Sequence, residues 1–275
     1  RGAYHSYIYP RHEQSGILID LEHGINDEVI ESSIKMVDAQ TIVGFRRSKG
    51  FVEDHQYYFY ARFSKPFENV STYVDGQTGK NTDVKGKAVK MLVQFATEVS
   101  ENVDVKVGLS TISIEGAQRN LEKEIPSWGI HKVIREAEKT WHSYLSRIEM
   151  EELTEGQKVS FYTSLYHSLI MPNLVTDIDG QYVGWDHKPH RSTDGELYTN
   201  FSLWDTYRAQ HPFLNLMYPE MNSAMIRSML EKYRQTGLLV TNEYGLCETW
   251  CMIGNHAVNP IVDAYLKGDR SFDAE

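Results

Sequence analysis

Cysteine is scarce: two in 275 residues, Cys247 and Cys251. Four apart on a helix they would be neighbours poorly disposed for a disulfide, so no disulfide framework is expected and the redox compartment stays open. Positive charge is also short. Against 38 Asp and Glu stand 28 Lys and Arg, and the net charge of −10 disfavours non-specific attraction to nucleic acid or anionic membrane. No run approaches the ~18 apolar residues needed to span a bilayer. The P-loop, the dinucleotide fingerprint, zinc spacings, the Ser nucleophile elbow and any basic patch interleaved with aromatics are all missing. There is no internal repeat.

What is there reads as a globular chain, 41% apolar and 24% charged, in which aromatics reach 12% with 17 Tyr and 5 Trp. Such aromatics serve either as core and surface filling or as faces that stack on the C–H faces of sugars. The chain opens "RGAYHSYIYP" without Met and closes "KGDRSFDAE" directly after a helical pattern, which leads us to expect an internal piece of a longer protein.

Alternation of period two dominates residues 1–113, most clearly at 4–9, 16–21, 41–47, 56–64, 88–97 and 103–113, with turn-rich punctuation such as "DGQTGKNTD". Strands about ten residues apart predict an antiparallel sandwich instead of βαβ units. The period changes near residue 114. Helices are predicted over 115–125, over 131–150 (Val133, Ala137, Trp141, Leu145 and Ile148 on one face), and after the capping box "TEGQ" at 154–157. A loop-rich stretch with a hairpin at "DIDGQYVGWD" follows, and then helices over about 202–217, 220–235 and 247–267. Strands first and helices after imply two domains, the second a helical barrel of which the opening helices are present.

Three stretches carry candidate chemistry. In "NFSLWDTYRAQHP" (200–212), Trp204, Tyr207, Arg208 and His211 would share one helical face, and Ser202 and Asp205 have the spacing of a helix cap and its first-turn acid. That aromatic and charged face suits a sugar subsite, in an enzyme or in a non-catalytic carbohydrate-binding module; a structural or interaction domain is the other reading. In "TDIDGQYVGWDHKPH" (176–190), Asp177, Asp179 and Gly180 match the start of a calcium loop, but its twelfth position is Lys188 in place of Glu, so an Asp-Gly turn is expected. His187 and His190 there are a metal pair or part of a solvent loop. In "GLCETWCMIG" (245–254), Glu248 is a lone acid among Leu246, Cys247, Trp250, Cys251, Met252 and Ile253. In the first turn of a helix its charged form would be favoured, whereas burial beside Trp and Met would keep it protonated and fit for general-acid work. Both remain open at this point.

Taken together, "VGFRRSKGF" (43–51), "YYFYARFSKPF" (57–67), "KVGLSTISIEGAQRNLEKEIPSW" (106–128), "FYTSLYHSLIMPNLVTDIDGQYVG" (161–184), "FSLWDTYRAQHP" (201–212), "ETWCMIGNHAV" (248–258) and "DAYLKG" (263–268) resemble the family 92 glycoside hydrolases over nearly the whole chain. The resemblance implies an α+β fold: an antiparallel β-sandwich over 1–113, linker helices over 114–150, and the first part of an (α/α)6 barrel over 151–275. It implies a calcium-dependent, inverting exo-α-mannosidase that acts on terminal α-mannosidic linkages of mannans or N-glycans, α-1,2 being the commonest, in the periplasm, at the cell surface or outside the cell. By the same resemblance Glu248 is the general acid, and Trp204, Asp205 and Arg208 lie at or near the mannose site. The general base and most calcium ligands of the family belong to motifs beyond this chain, so the chain alone is expected to be inactive. One departure stands beside the acid. Where the family has "LP-x-W", the Pro falls on Val240 and the Trp on Asn242.

Overall fold

The computed structural model describes residues 1–273. Two compact units emerge: Arg1–Val133 together with Asp177–Asp179, and Ile134–Thr176 together with the chain from Gly180 onward.

The first unit is the β-sandwich. Its strands are β1 (Gly2–Tyr9), β2 (His12–Asp20), β3 (Asp27–Asp38), β4 (Thr41–Gly50), β5 (His55–Phe63), β6 (Asn69–Val74), β7 (Gln77–Gly79), β8 (Asp83–Gly86), β9 (Val89–Thr97) and β10 (Glu101–Ser110). All pair antiparallel, in a six-stranded sheet of order β1-β10-β5-β4-β3-β8 and a four-stranded sheet of order β2-β9-β6-β7. β9 shows the cause most plainly: Val89, Met91, Val93, Phe95 and Thr97 are buried while the residues between them are only half-buried. Its inward side chains meet Ile34, Ile42, Phe59, Phe63, Val103 and Val105 from the larger sheet in one core. The alternation located six of these strands. β3, β6, β7 and β8 escaped it, since β3 reads "DEVIESSIKMVD" with five charged residues and β7 and β8 are three and four residues long.

Helix α1 (Ile114–Glu124) packs on the larger sheet. Ser113 caps it, accepting from Gly116 N at 3.0 Å. Gly108 of β10 permits the approach, because a Cβ there would lie 2.0 Å from Ala117 O. Lys106, buried in the same strand, donates from Nζ to Ile125 O at the helix C-terminus at 3.0 Å and lies 4.6 Å from the Trp128 ring. The acids of the suspected calcium loop belong to this unit. Asp177 is buried and accepts from Ser110 Oγ at 2.6 Å and Asn120 Nδ2 at 2.8 Å, while Asp179 pairs with Arg119 at 3.1 Å. Both carboxylates are thus engaged by protein donors.

The second unit contains α2 (Ile130–Leu145) from Ile134 on and α3 (Glu155–His167), the latter opened by the predicted capping box of Thr154 and Gln157. Next come the short strands β11 (Asn173–Leu174), β12 (Gln181–Val183), β13 (Pro189–Arg191) and β14 (Tyr198–Thr199). β12 and β13 form a hairpin that turns at 184–188, past the Asp179-Gly180 pair where the sequence placed the turn, and His190 Nε2 in it lies 2.8 Å from Asp186 Oδ1. α4 (Leu203–Thr206), α5 (Gln210–Met217), α6 (Pro219–Thr236), the hairpin strands β15 (Glu243–Tyr244) and β16 (Cys247–Glu248), and α7 (Val258–Leu266) complete it. Leu165, Phe201, Leu203, Leu214, Met225, Ile226, Met229 and Ala264 form its main core. No helix is long and apolar enough to cross a membrane among the described residues.

Two predicted helices are corrected. The helix over 202–217 is broken: α4 is a single turn, and Ala209 leaves helical geometry with φ −135° before α5 starts. Trp204, Tyr207, Arg208 and His211 therefore do not share one continuous helical face. His211 is a core histidine, 1% exposed, with Nδ1 3.1 Å from Asn222 Oδ1. The helix over 247–267 exists only from Val258 to Leu266. Before it, positive φ at Gly245, Leu246, Trp250 and Gly254 excludes a helix start.

Candidate active site

Glu248 stands on the second strand of a tight hairpin, not in the first turn of a helix. Glu243 pairs with Glu248 and Tyr244 with Cys247, which leaves Gly245 and Leu246 as the two-residue loop. Their φ values of 53° and 69° are the pair of positive angles that a type I′ hairpin demands. Glycine meets that demand freely. Leucine does so at a cost, and here its side chain is buried with Val175, Tyr182, Trp185 and Leu197 while its N–H donates to Thr199 Oγ1 and Glu243 Oε1, both at 3.2 Å.

Of the apolar company expected around Glu248, Leu246 and Cys247 are buried, but the residues that follow it are not. Trp250 is 69% exposed, Ile253 79%, and Cys251 and Met252 also face outward. Instead, Glu248 Oε2 accepts from Lys232 Nζ at 2.5 Å and from Thr241 N at 3.0 Å, and Oε1 accepts from Asn242 N at 2.8 Å. The side chains of Lys232 and Glu248 are 3% and 9% exposed, so this is a buried, charge-assisted pair. Three donors on two oxygens suit a carboxylate anion.

The buried carboxyl beside a tryptophan is Glu243. It is fully enclosed, and burial pushes its pKa up from 4.5 to about 7, against the pull of Thr199, Lys232, Trp185 and Asn200. Thr199 Oγ1 donates to Oε1. The Trp185 indole lies close enough to act on the carboxyl, but it closes no well-formed hydrogen bond. Trp185 Nε1 and Glu243 Oε2 both lack a partner among the described residues.

The stretch holding Trp204 and Asp205 is laced to this hairpin. Glu243 N donates to Phe201 O at 2.8 Å and Gly245 N to Asn200 Oδ1 at 2.8 Å. Ser202 makes a lone bridge to Asn242, whose Nδ2 donates to Ser202 Oγ at 3.0 Å. Ser202 Oγ in turn donates to Asp205 Oδ2 at 2.8 Å, so the serine ties down an acid without capping the turn. Asn242, which takes the place of the tryptophan in the family pattern, is buried and also accepts from Thr249 Oγ1 at 2.8 Å. Hydrogen bonds thus link Asp205 to Ser202 and Ser202 to the Asn242 side-chain amide, while the backbone N–H of the same Asn242 holds Glu248. Arg208 is exposed and sits 4.8 Å from the Tyr207 ring, which stacks on His256 at 4.3 Å. Trp204 is 38% exposed.

Sequence reasoning passed over Lys232 and Glu243, and marked Asn242 only as a departure from the family pattern. Lys232 did leave a signal, since it continues the buried stripe of Met225 and Met229 at spacings of four and three, where a lysine is out of place. Glu243 left none, because its immediate neighbours in sequence are polar, while Thr199 and Trp185, which act on its carboxyl, lie 44 and 58 positions away.

One trio of metal-ligand atoms converges among the described residues, Asp20, Glu22 and His23. Lys90 Nζ already lies 2.7 Å from Glu22 and 3.4 Å from Asp20, and His23 Nδ1 lies 2.7 Å from Asp20. With an ammonium in place and an imidazole among the ligands, the trio does not fit a hard, oxygen-seeking calcium ion. No step below runs through calcium.

Comparison with known proteins gives a consistent outcome. The glycosyl hydrolase family 92 N-terminal domain matches residues 1–110 and the family 92 catalytic domain matches residues 116–275. The chain is similar to a family 92 α-mannosidase of Bacteroides thetaiotaomicron, with a TM-score of 0.95 and 31% identity over 99% of this chain and 38% of that one. It is similar also to a family 92 inverting mannosidase of the same organism, with a TM-score of 0.91 and 29% identity over 100% of this chain and 37% of that one. An uncharacterized secreted glycosidase of Arthroderma benhamiae is 27% identical over 178 residues, 63% of this chain and 19% of that protein. The chain therefore spans less than two-fifths of the length of these relatives. Matched by both of the family's domains, in order and across most of its residues, the chain belongs to glycosyl hydrolase family 92.

Proposed function

We propose that this chain serves the hydrolysis of terminal α-mannosidic linkages, α-1,2 first among them, in mannans or N-glycans outside the cell or in the periplasm. Glu248 protonates the glycosidic oxygen of the leaving group. Trp204, Asp205 and Arg208 line the mannose site, and the observation that carries this reading is that Asn242 holds both stretches, its side chain bonded to Ser202, which holds Asp205, and its backbone N–H to Glu248. The mechanism is inverting. A second carboxylate roughly 6.5–9.5 Å from the acid activates water, and that base lies outside these 275 residues, as do the groups that would hold the calcium ion the family calls for. In this reading the sandwich occupies 1–113 and the linker helices 114–150, and the catalytic barrel begins at 151.

Glu248 tests the reading. In a protein of the relatives' full length, Glu248→Gln is expected to lower kcat/KM for an α-linked mannobiose by about 100-fold or more, while a 2,4-dinitrophenyl mannoside, whose leaving group needs no proton, is hydrolysed far less impaired. Undiminished mannobiose hydrolysis would sink the assignment. Sugar affinity without turnover in the unmutated protein would favour the binding-module reading instead.

A further inference from the structure

The helical unit holds a second cleft, bounded by α2 with the turn after it, the chain leading into β14, and the first half of α6. It measures about 390 Å³, within the range of small-molecule sites, and shares no lining residue with the stretch from Asn200 to Arg208 or with the Glu248 hairpin. Tyr144, Tyr198 and Tyr218 bring three aromatic rings to it. Arg147 lies over two of them, its guanidinium carbon 5.7 Å from the Tyr144 ring centre and 4.9 Å from that of Tyr218, and its Nη1 donates to Met217 O at 2.9 Å. Stacking and that bond fix the guanidinium, while Nε and Nη2 close no hydrogen bond among the described residues. Arg227 is less satisfied still. Its Nε is buried without a partner, and its Nη1 reaches only Ser271 Oγ, at 3.4 Å. A buried donor left open costs free energy that an acceptor on a ligand would recover.

Charge narrows the class of ligand. Glu196 and Glu220 line the cleft beside the two arginines, so its ionised side chains sum to zero. A phosphate drawn to the guanidiniums would be repelled by the carboxylates. A neutral ring bearing several hydroxyls meets no such penalty. Each hydroxyl accepts from a guanidinium or donates to a carboxylate, and the C–H faces pack on tyrosine. We propose that this cleft is a second carbohydrate-binding site, which takes one or two neutral hexopyranose units of a longer glycan. Arg227 and Arg147 hold the hydroxyls, and Tyr144 and Tyr198 supply the packing surface. That the sugar is mannose rests on the mannosidase reading above; that the cleft takes a neutral sugar does not. A site of this kind tethers a polymer and raises its local concentration, without altering turnover of a short substrate.

The test uses the full-length protein and α-mannan cast into a native gel, with a mannose-like iminosugar at saturation to occupy the mannose site. The unmutated protein should be retarded by the mannan despite the iminosugar. Arg227→Met keeps an apolar stem and removes the donors. It should bind the mannan about tenfold more weakly, with mannobiose hydrolysis unchanged. Retardation abolished by the iminosugar, or equal in Arg227→Met and the unmutated protein, overturns the proposal. So does release from the gel by inorganic phosphate and not by mannobiose, which would mark an anion site. Should Arg227→Met lose mannobiose hydrolysis as well, and so report a folding defect, Arg147→Leu at an exposed position decides by the same comparison. The two readings fail separately. An unmutated protein that leaves mannobiose intact sinks the mannosidase reading, and its retardation, kept or lost in Arg227→Met, still decides the cleft.

Discussion

Glu243 couples stability to pH more directly than any other single side chain described above. Its carboxyl titrates near 4.5 when exposed and at about 7 in the folded chain. Below the unfolded value both states are protonated, and its contribution to stability is fully present. As pH rises towards 7 the unfolded chain releases a proton that the folded chain retains, so stability falls and levels off once the buried group ionises. The span corresponds to about 3 kcal/mol. Glu243→Gln keeps an oxygen to accept from Thr199 and Leu246 but cannot ionise. Urea unfolding at pH 5, 6, 7 and 8 should show the variant losing most of that slope, and an unchanged slope would contradict the buried-acid account. The same site explains why the local sequence misled. The carboxyl beside a tryptophan belongs to Glu243 because Trp185 arrives from a distant loop, whereas Trp250, two positions from Glu248, turns outward.

At the scale of elements, the contacts of α1 and of its neighbouring loop are the ones with most at stake. Asp177 uses both oxygens on Ser110 and Asn120, and Asn120 Oδ1 accepts from Ile178 N at 2.8 Å, closing a buried polar network. Its pKa is raised by burial, and the hydrogen bonds from Ser110 and Asn120 oppose that rise. Asp177→Ala strands a buried hydroxyl and weakens the tie of a buried amide, which should cost about 2–3 kcal/mol in chemical unfolding. A loss within 0.5 kcal/mol would mean that water replaces the carboxylate at little cost. The elements legible beforehand were those with strong local signals: β9 by its alternation and α3 by its capping box. The Glu248 hairpin was not legible. Its I′ turn places a leucine at positive φ, a choice that local propensity opposes and that burial and two hydrogen bonds sustain.

The molecule as a whole has a large apolar core in each of its two units. In the sandwich, Phe63 is 1% exposed and meets Phe67 edge-to-face, with ring centres 4.9 Å apart. Phe63→Ala should lower stability by about 3–5 kcal/mol, read as a drop in the urea midpoint followed by far-UV circular dichroism. A shift of less than 1 kcal/mol would show that the two sheets close over the cavity.

By itself the sequence determined that strands come first and helices after, six of the ten sandwich strands, helices α1 to α3 with the cap of α3, and the family. Each of these depends on short-range periodicity, on residues that cap or turn the chain locally, or on motifs that survive in linear order. Tertiary structure alone decided the surroundings of the acid. Lys232 reaches Glu248 from sixteen residues upstream, Thr199 donates to Glu243 across forty-four, and Ser202 meets Asn242 across forty. Charge, burial and proton affinity depend on distance in space, and only the folded chain sets those distances.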